Sequence, residues 1–219
     1  MNSRALRHYC APFVLFLLLL ACIDPLQRLG ISNSQYWVFP LQVLLCGGLV
    51  FLWRRQYPLA RPQGIVLTVG VALLTLGLWI SPQALFGMPP RLDGFNPEVF
   101  APGSTAYWAT VVLRFARLVV VVPLVEEIFW RGFLLRYLIR EDFTRVPFGA
   151  FSWLSFGLVT LLFALEHQPA DYPAALCTGV LFNLVAIRTR SLSACILAHA
   201  ITNLLLGCYV MATRQWGFW

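Results

Sequence analysis

The 219-residue chain contains no lysine; all sixteen of its basic residues are arginine. Charge of either sign is scarce, at 11% against about 25% in a soluble domain. Sixteen arginines and nine carboxylates cannot give a domain of this size a polar surface. That excludes a secreted soluble domain and a disordered chain. It also excludes a conventional nucleic-acid binder, despite the net charge of +7. There are six cysteines. Cys10, Cys22, Cys46, Cys177, Cys195 and Cys208 each lie in or beside an apolar run, and no C-x-x-C pair occurs. They read as small buried hydrophobes, with no disulfide framework and no zinc cage. A G-x-S-x-G elbow, an H-E-x-x-H helix and an internal repeat are all missing. What is abundant is apolar: 59% of residues are hydrophobic and the mean hydropathy is +0.75. The composition is that of a polytopic membrane protein.

Seven apolar segments can be drawn, at 9–23, 36–53, 64–80, 105–125, 148–166, 172–187 and 191–211. Spans of about 20 residues, allowing for tilt, fit them. Backbone in lipid must satisfy its own hydrogen bonds, so these are helices. The fold class is therefore all-α, a transmembrane bundle of about seven or eight helices with a cavity inside the membrane. Tyr36, Trp37, Trp53, Trp79, Tyr107 and Trp108 gather at segment ends, as an interfacial belt does. Residues 1–219 form one integral membrane domain: N-terminal spans and a loop over 1–100, and a core over 105–211. The loop is 81–104, broken by five prolines and three glycines.

Arginine sets the orientation. With the N-terminus cytoplasmic, ten arginines fall on inner segments and three (Arg28, Arg91, Arg214) on outer ones, a positive-inside bias. Arg114, Arg117 and Arg131 fall within apolar helix. Arg4 and Arg7 ahead of a run ending at Cys22 also fit a signal peptide, even a lipidated one. A first spanning helix is the simpler reading.

Ionisable groups inside a membrane segment are costly, so function is their default reading. In Glu126-Glu127-x3-Arg131 the adjacent carboxylates point about 100° apart on a helix. Glu127 and Arg131, four residues apart, share a face and can neutralise each other. Glu126 has Trp130 at that spacing and is left free to enter a cavity as a general base. Pro123, just upstream, removes one helix hydrogen bond. The plain alternative is a helix ending at the interface with its charges in water. The second cluster, Phe163-x3-His167, is by itself an ordinary interfacial Glu166–His167 pair before Pro169. The third, His199-x3-Asn203, puts two polar side chains on one face of an apolar helix, where they need partners. Asn183 reads as interhelical glue. Arg114 and Arg117 can snorkel, or pair with a carboxylate or a lipid phosphate; spacing does not choose.

Together, one Glu, two His and one Asn supply a base, a water-orienting imidazole and oxyanion donors, a set suited to acyl-bond hydrolysis. A metal on Glu126, His167 and His199 is chemically permissible, and nothing in the spacing demands it. The three clusters, in this order, resemble the CPBP family: type II CAAX prenyl endopeptidases and bacterial relatives linked to bacteriocin self-immunity. The resemblance covers about 110–210, and the run through Arg188-Thr189-Arg190-Ser191-Leu192 into His199 is also similar. The chain further resembles the CAAX prenyl protease-related subgroup found with exosortase sorting systems.

The resemblance implies a metal-independent glutamate intramembrane endopeptidase without cofactor. It would act on a membrane-associated peptide or protein in the bacterial inner membrane, among membrane lipids and with a link to an exosortase system. It implies that Glu126 activates water, His167 helps hold that water, His199 and Asn203 form the oxyanion hole, and Glu127 and Arg131 support the site. Competing functions are a non-catalytic membrane scaffold of the same fold and a small proton-coupled transporter. The lack of an inverted repeat weighs against the transporter.

One conflict arises in the spacing. Starting at Phe148, the fifth helix carries His167 about 28 Å across, whereas His199 lies about 12 Å in from the Arg190 side. They cannot share a site if both helices are perpendicular spans. The fifth helix must tilt or start below the interface, or an eighth helix or re-entrant segment must intervene. A continuous helix over 105–140 would be about 54 Å long and must break or bend.

Overall fold

The computed structural model describes residues 3–219, which form helices and no strands. Seven apolar helices correspond to the seven predicted segments. They are α1 (Ser3–Arg28, turning at Cys22), α2 (Gln35–Leu52), α3 (Ile65–Ala84), α4 (Thr105–Tyr137), α5 (Trp153–Leu165), α6 (Tyr172–Thr189) and α7 (Leu192–Thr213). Among the described residues, all but α5 are long and apolar enough to cross a membrane. Val66, Trp153 and Leu29 are among many large apolar side chains left exposed on the outside of the bundle. Water would not tolerate so much apolar surface on a monomer, and lipid does. The chain is an integral membrane protein.

Local chemistry sets the helix ends. Ser104, Ser152 and Ser191 each accept a backbone N–H three residues on, the N-cap pattern that starts α4, α5 and α7. Arg190 and Arg214, in left-handed conformation, end α6 and α7. The bundle is assembled from neighbours: α1 on α2, α5 on α6, α7 along α3. Helix α4 touches α1, α2, α5 and α7. The buried core runs along this central helix through Val121, Val125, Ile128 and Leu135 to Phe163 and Phe182.

Of the break or bend expected in 105–140, the break does not occur. The helix continues to Tyr137, with π-helical turns at Ala116–Val121 and Ile128–Leu134 on either side of Pro123. The depth conflict resolves through α5. It starts at Trp153, not Phe148, and its thirteen residues rise about 20 Å. A hydrocarbon core is about 30 Å thick, so α5 stops short and brings His167 to the level of His199. The segment ahead of α5 stays non-helical and packs against the end of α6. There Gly149 has φ +79°, and a Cβ on it would meet the Ala186 carbonyl oxygen at 2.6 Å.

The loop between α3 and α4 is ordered by the C-terminal tail. Gly217 N–H donates to the Arg91 carbonyl (2.8 Å), and Arg91 N–H donates to Gln215 Oε1 (3.2 Å). Arg214 pairs with Glu98 at 3.1 Å, and Arg91 pairs with Asp171 just ahead of α6. Loop, tail and the start of α6 thus close one end of the bundle.

Gly149→Ala adds both a disfavoured backbone conformation and a clash with backbone, together costing about 1–3 kcal/mol. The unfolding midpoint of the detergent-solubilised protein is expected to fall by several degrees. An unchanged midpoint would show that the α5 approach is not tightly held.

Candidate active site

The buried ionic centre lies on α4. Glu127 and Arg131 have no solvent exposure and pair at 3.0 Å, one helical turn apart. The same carboxylate oxygen accepts from His199 Nδ1 on α7, also at 3.0 Å. Arg131 Nε donates to Asn183 Oδ1 on α6 (3.1 Å), and Asn183 Nδ2 donates to Thr160 Oγ1 on α5 (3.1 Å). The rings of Phe163 and Phe182 lie 4.8 and 5.5 Å from the guanidinium carbon. One ion pair therefore joins four helices. Asn183 is part of that joint, as its glue reading expects.

Glu126 is placed differently. The turn of the helix that gives Glu127 to Arg131 aims Glu126 into a cavity of about 370 Å³. Its Oε2 is buried without a hydrogen-bond partner. His167, His199 and Asn203 line the same cavity, so all four predicted catalytic residues meet there; Glu127 and Arg131 lie behind the wall. The partners of the two imidazoles fix which nitrogen is left. His167 Nδ1 faces the Phe163 carbonyl at 2.8 Å. A carbonyl only accepts, so Nδ1 carries the proton and Nε2 is free. His199 Nδ1 is likewise held, by Glu127.

Asn203 is positioned through the proline. Val122 N–H reaches back five residues to the Arg117 carbonyl, the π register. In that register the Leu118 carbonyl would wait for the N–H of residue 123, and proline has none. Asn203 Nδ2 donates to that carbonyl instead, at 2.8 Å. Pro123 was expected to remove a hydrogen bond, and α7 supplies the replacement. One Nδ2 hydrogen of Asn203 is thereby used and the second remains.

Sequence reasoning undervalued several cavity residues. Glu166 lines the cavity beside His167 and accepts from Trp130 Nε1 (3.2 Å). The rule that an intramembrane carboxylate needs a reason would have singled it out. Arg114 and Arg117 neither snorkel nor pair with a carboxylate. Both are buried and line the cavity, with guanidiniums against aromatic rings; Arg117 Nε donates to Gln42 at 2.6 Å. Phe218 and Trp219 of the tail also line the cavity. Their order depends on long-range packing that no local pattern encodes. No group of three or more His, Cys, Asp or Glu side chains among the described residues could hold a metal ion.

Carboxylates and imidazoles gathered around a cavity between apolar helices mark a functional site. Residues 108–205, a little under half the chain, match the family described as Type II CAAX prenyl endopeptidase Rce1-like. The matched region holds all three motifs, and the chain is similar to that family there. No curated protein and no solved structure gives a significant match.

The ionic joint can be tested apart from catalysis. Glu127→Leu strands the Arg131 charge and is expected to cost about 3–5 kcal/mol in an SDS-unfolding titration. Combining it with Arg131→Met should recover most of that loss. Equal losses in the single and double variants would mean that the pair is not what holds the helices.

Proposed function

We propose that the chain is a metal-independent glutamate endopeptidase that hydrolyses a peptide bond of a membrane-associated substrate. The observation that carries this reading is the division of labour between the two adjacent carboxylates. Both keep one unpartnered oxygen, but Glu127 is ion-paired to Arg131 and His199 through the other and lies off the cavity, whereas Glu126 makes no ion pair among the described residues and lines a cavity bordered by two imidazoles.

In the proposed reaction Glu126 takes a proton from a water molecule, whose oxygen attacks the scissile carbonyl carbon. His167 holds that water through the Nε2 lone pair, because its Nδ1–H is bound to the Phe163 carbonyl. The carbonyl oxygen becomes the oxyanion. It accepts from the second Nδ2 hydrogen of Asn203 and from His199 Nε2 in the form with both ring nitrogens protonated. Glu126 then returns its proton to the leaving amine. Glu127 and Arg131 touch no reacting atom; they fix the tautomer and angle of His199. The water is held where bulk solvent is excluded, which strengthens each of these interactions.

The surroundings follow from the same reading. The chain sits in a bacterial inner membrane with its N-terminus in the cytoplasm, among membrane lipids, and works beside an exosortase-type sorting system. Genes adjacent to this one are the direct check on that last link.

Activity is expected in liposomes with a lipid-anchored, internally quenched peptide library randomised over its last six residues. Glu126→Gln should lower the rate at least a hundredfold, the scale of lost general-base catalysis, with an unchanged unfolding midpoint. EDTA should leave wild-type activity within about twofold. Full activity in Glu126→Gln removes the assignment, and strong inhibition by EDTA replaces it with a metal mechanism.

A further inference from the structure

The cavity is polarised along α4. At one end lie acceptors, the carboxylates of Glu126 and Glu166. At the loop-and-tail end the third cavity carboxylate, Asp171, is already paired with Arg91, and donors are left with nothing to receive them. Arg114 is 4% exposed, and its Nε and Nη1 are buried without hydrogen-bond partners. None of the ion pairs among the described residues includes it. Its guanidinium is boxed by the rings of Phe39, Phe95 and Trp219, whose centroids lie 4.6, 4.7 and 5.9 Å from its central carbon. The Trp219 indole N–H, on the same cavity, is also buried and unpartnered. Arg117 differs: Gln42 accepts from its Nε, and Gln42 is itself anchored to the Phe16 carbonyl at 2.8 Å.

Aromatic faces stabilise a cation but accept no in-plane N–H. A buried guanidinium with unmet donors, beside a second unmet donor, lacks an anion. A carboxylate supplies acceptor oxygens only and matches that need. The distance is also suitable. Glu126 lies twelve residues from Arg114 on the same helix, roughly 18 Å along the axis. An extended peptide advances about 3.3 Å per residue, so about five or six residues would reach from the attacked bond to Arg114.

We infer that Arg114, with the Trp219 indole beside it, is an anion-binding subsite that holds the free carboxylate downstream of the cleaved bond. This rests on the peptidase reading above and adds to it a specificity determinant outside the three motifs. The subsite orients the peptide, with its carboxylate at the loop-and-tail end and its scissile bond at Glu126. A lipid phosphate shares the same chemistry, and the experiment separates the two sources.

The quenched library is made once with a free C-terminal carboxylate and once as the C-terminal amide. Both are offered to wild type, Arg114→Ala and Arg114→Lys in neutral and in anionic liposomes. Wild type is expected to favour the carboxylate library in kcat/KM by about tenfold or more, the scale of a charge-assisted hydrogen bond. Arg114→Ala should cleave the two within about twofold of each other, and Arg114→Lys should fall between. The ratio is internal to each preparation, so a low yield of folded variant does not move it. Equal cleavage of both libraries by wild type overturns the subsite, even if the alanine variant does not accumulate. So does an undiminished preference in Arg114→Ala. Activity that rises with anionic lipid in wild type but not in Arg114→Ala, without a carboxylate preference, assigns the site to a lipid phosphate and also overturns it. If Glu126→Gln is inactive on both libraries while wild type ignores the terminus, the peptidase reading stands and only the subsite falls.

Discussion

The ion pair between Glu127 and Arg131 is the interaction on which the rest of the structure depends. Two charges with no solvent exposure, 3.0 Å apart, would be expensive if either stood alone. Their spacing on one turn of α4 lets them meet without help. Their remaining hydrogen-bonding capacity recruits His199 from α7 and Asn183 from α6, and through Asn183 reaches Thr160 on α5. In lipid there is little hydrophobic force between helices, so packing and such interhelical hydrogen bonds carry association. The four helices that meet on this pair are those that carry the predicted site residues.

The same constraint separates structural from available polar groups. Once Glu127 is committed, the helical turn makes Glu126 the carboxylate that faces the cavity. Once Nδ1 of each histidine is committed to Phe163 or Glu127, Nε2 is what each ring has left to offer. Pro123 acts in a similar way. By withholding an N–H from the π register, it leaves a carbonyl that Asn203 must meet, which fixes α7 against α4. A backbone irregularity is tolerated in the membrane here because a neighbouring helix satisfies it.

Much of this was legible in the residues. Apolar runs between arginine-flanked turns gave the helices, because lipid imposes one backbone solution. The i, i+4 spacing of Glu127 and Arg131, and of His199 and Asn203, gave shared faces, because helical geometry is local. The start of α5 was read five residues early, since Phe148 to Phe151 are apolar enough for a helix. The packing of Gly149 against Ala186 keeps them out of one, and a contact across 37 positions leaves no local trace. The π turns by which α4 stays continuous were also unforeseen. They are packed on α7 and α2 at Ala116–Val121 and chiefly on α1 at Ile128–Leu134, and Arg114 and Arg117 take their aromatic and amide partners from α1, α2, the loop and the tail. Those partners lie up to about a hundred positions away, beyond the reach of spacing rules.

The central claim is that Glu126 activates a water molecule and does not itself attack the peptide. Single-turnover hydrolysis in ¹⁸O-water, with mass analysis of both the product and the Glu126-containing fragment of the enzyme, tests it most directly. The account predicts one ¹⁸O in the newly formed product carboxylate and none in Glu126. Label in the Glu126 side chain would indicate an acyl-enzyme anhydride and would contradict it.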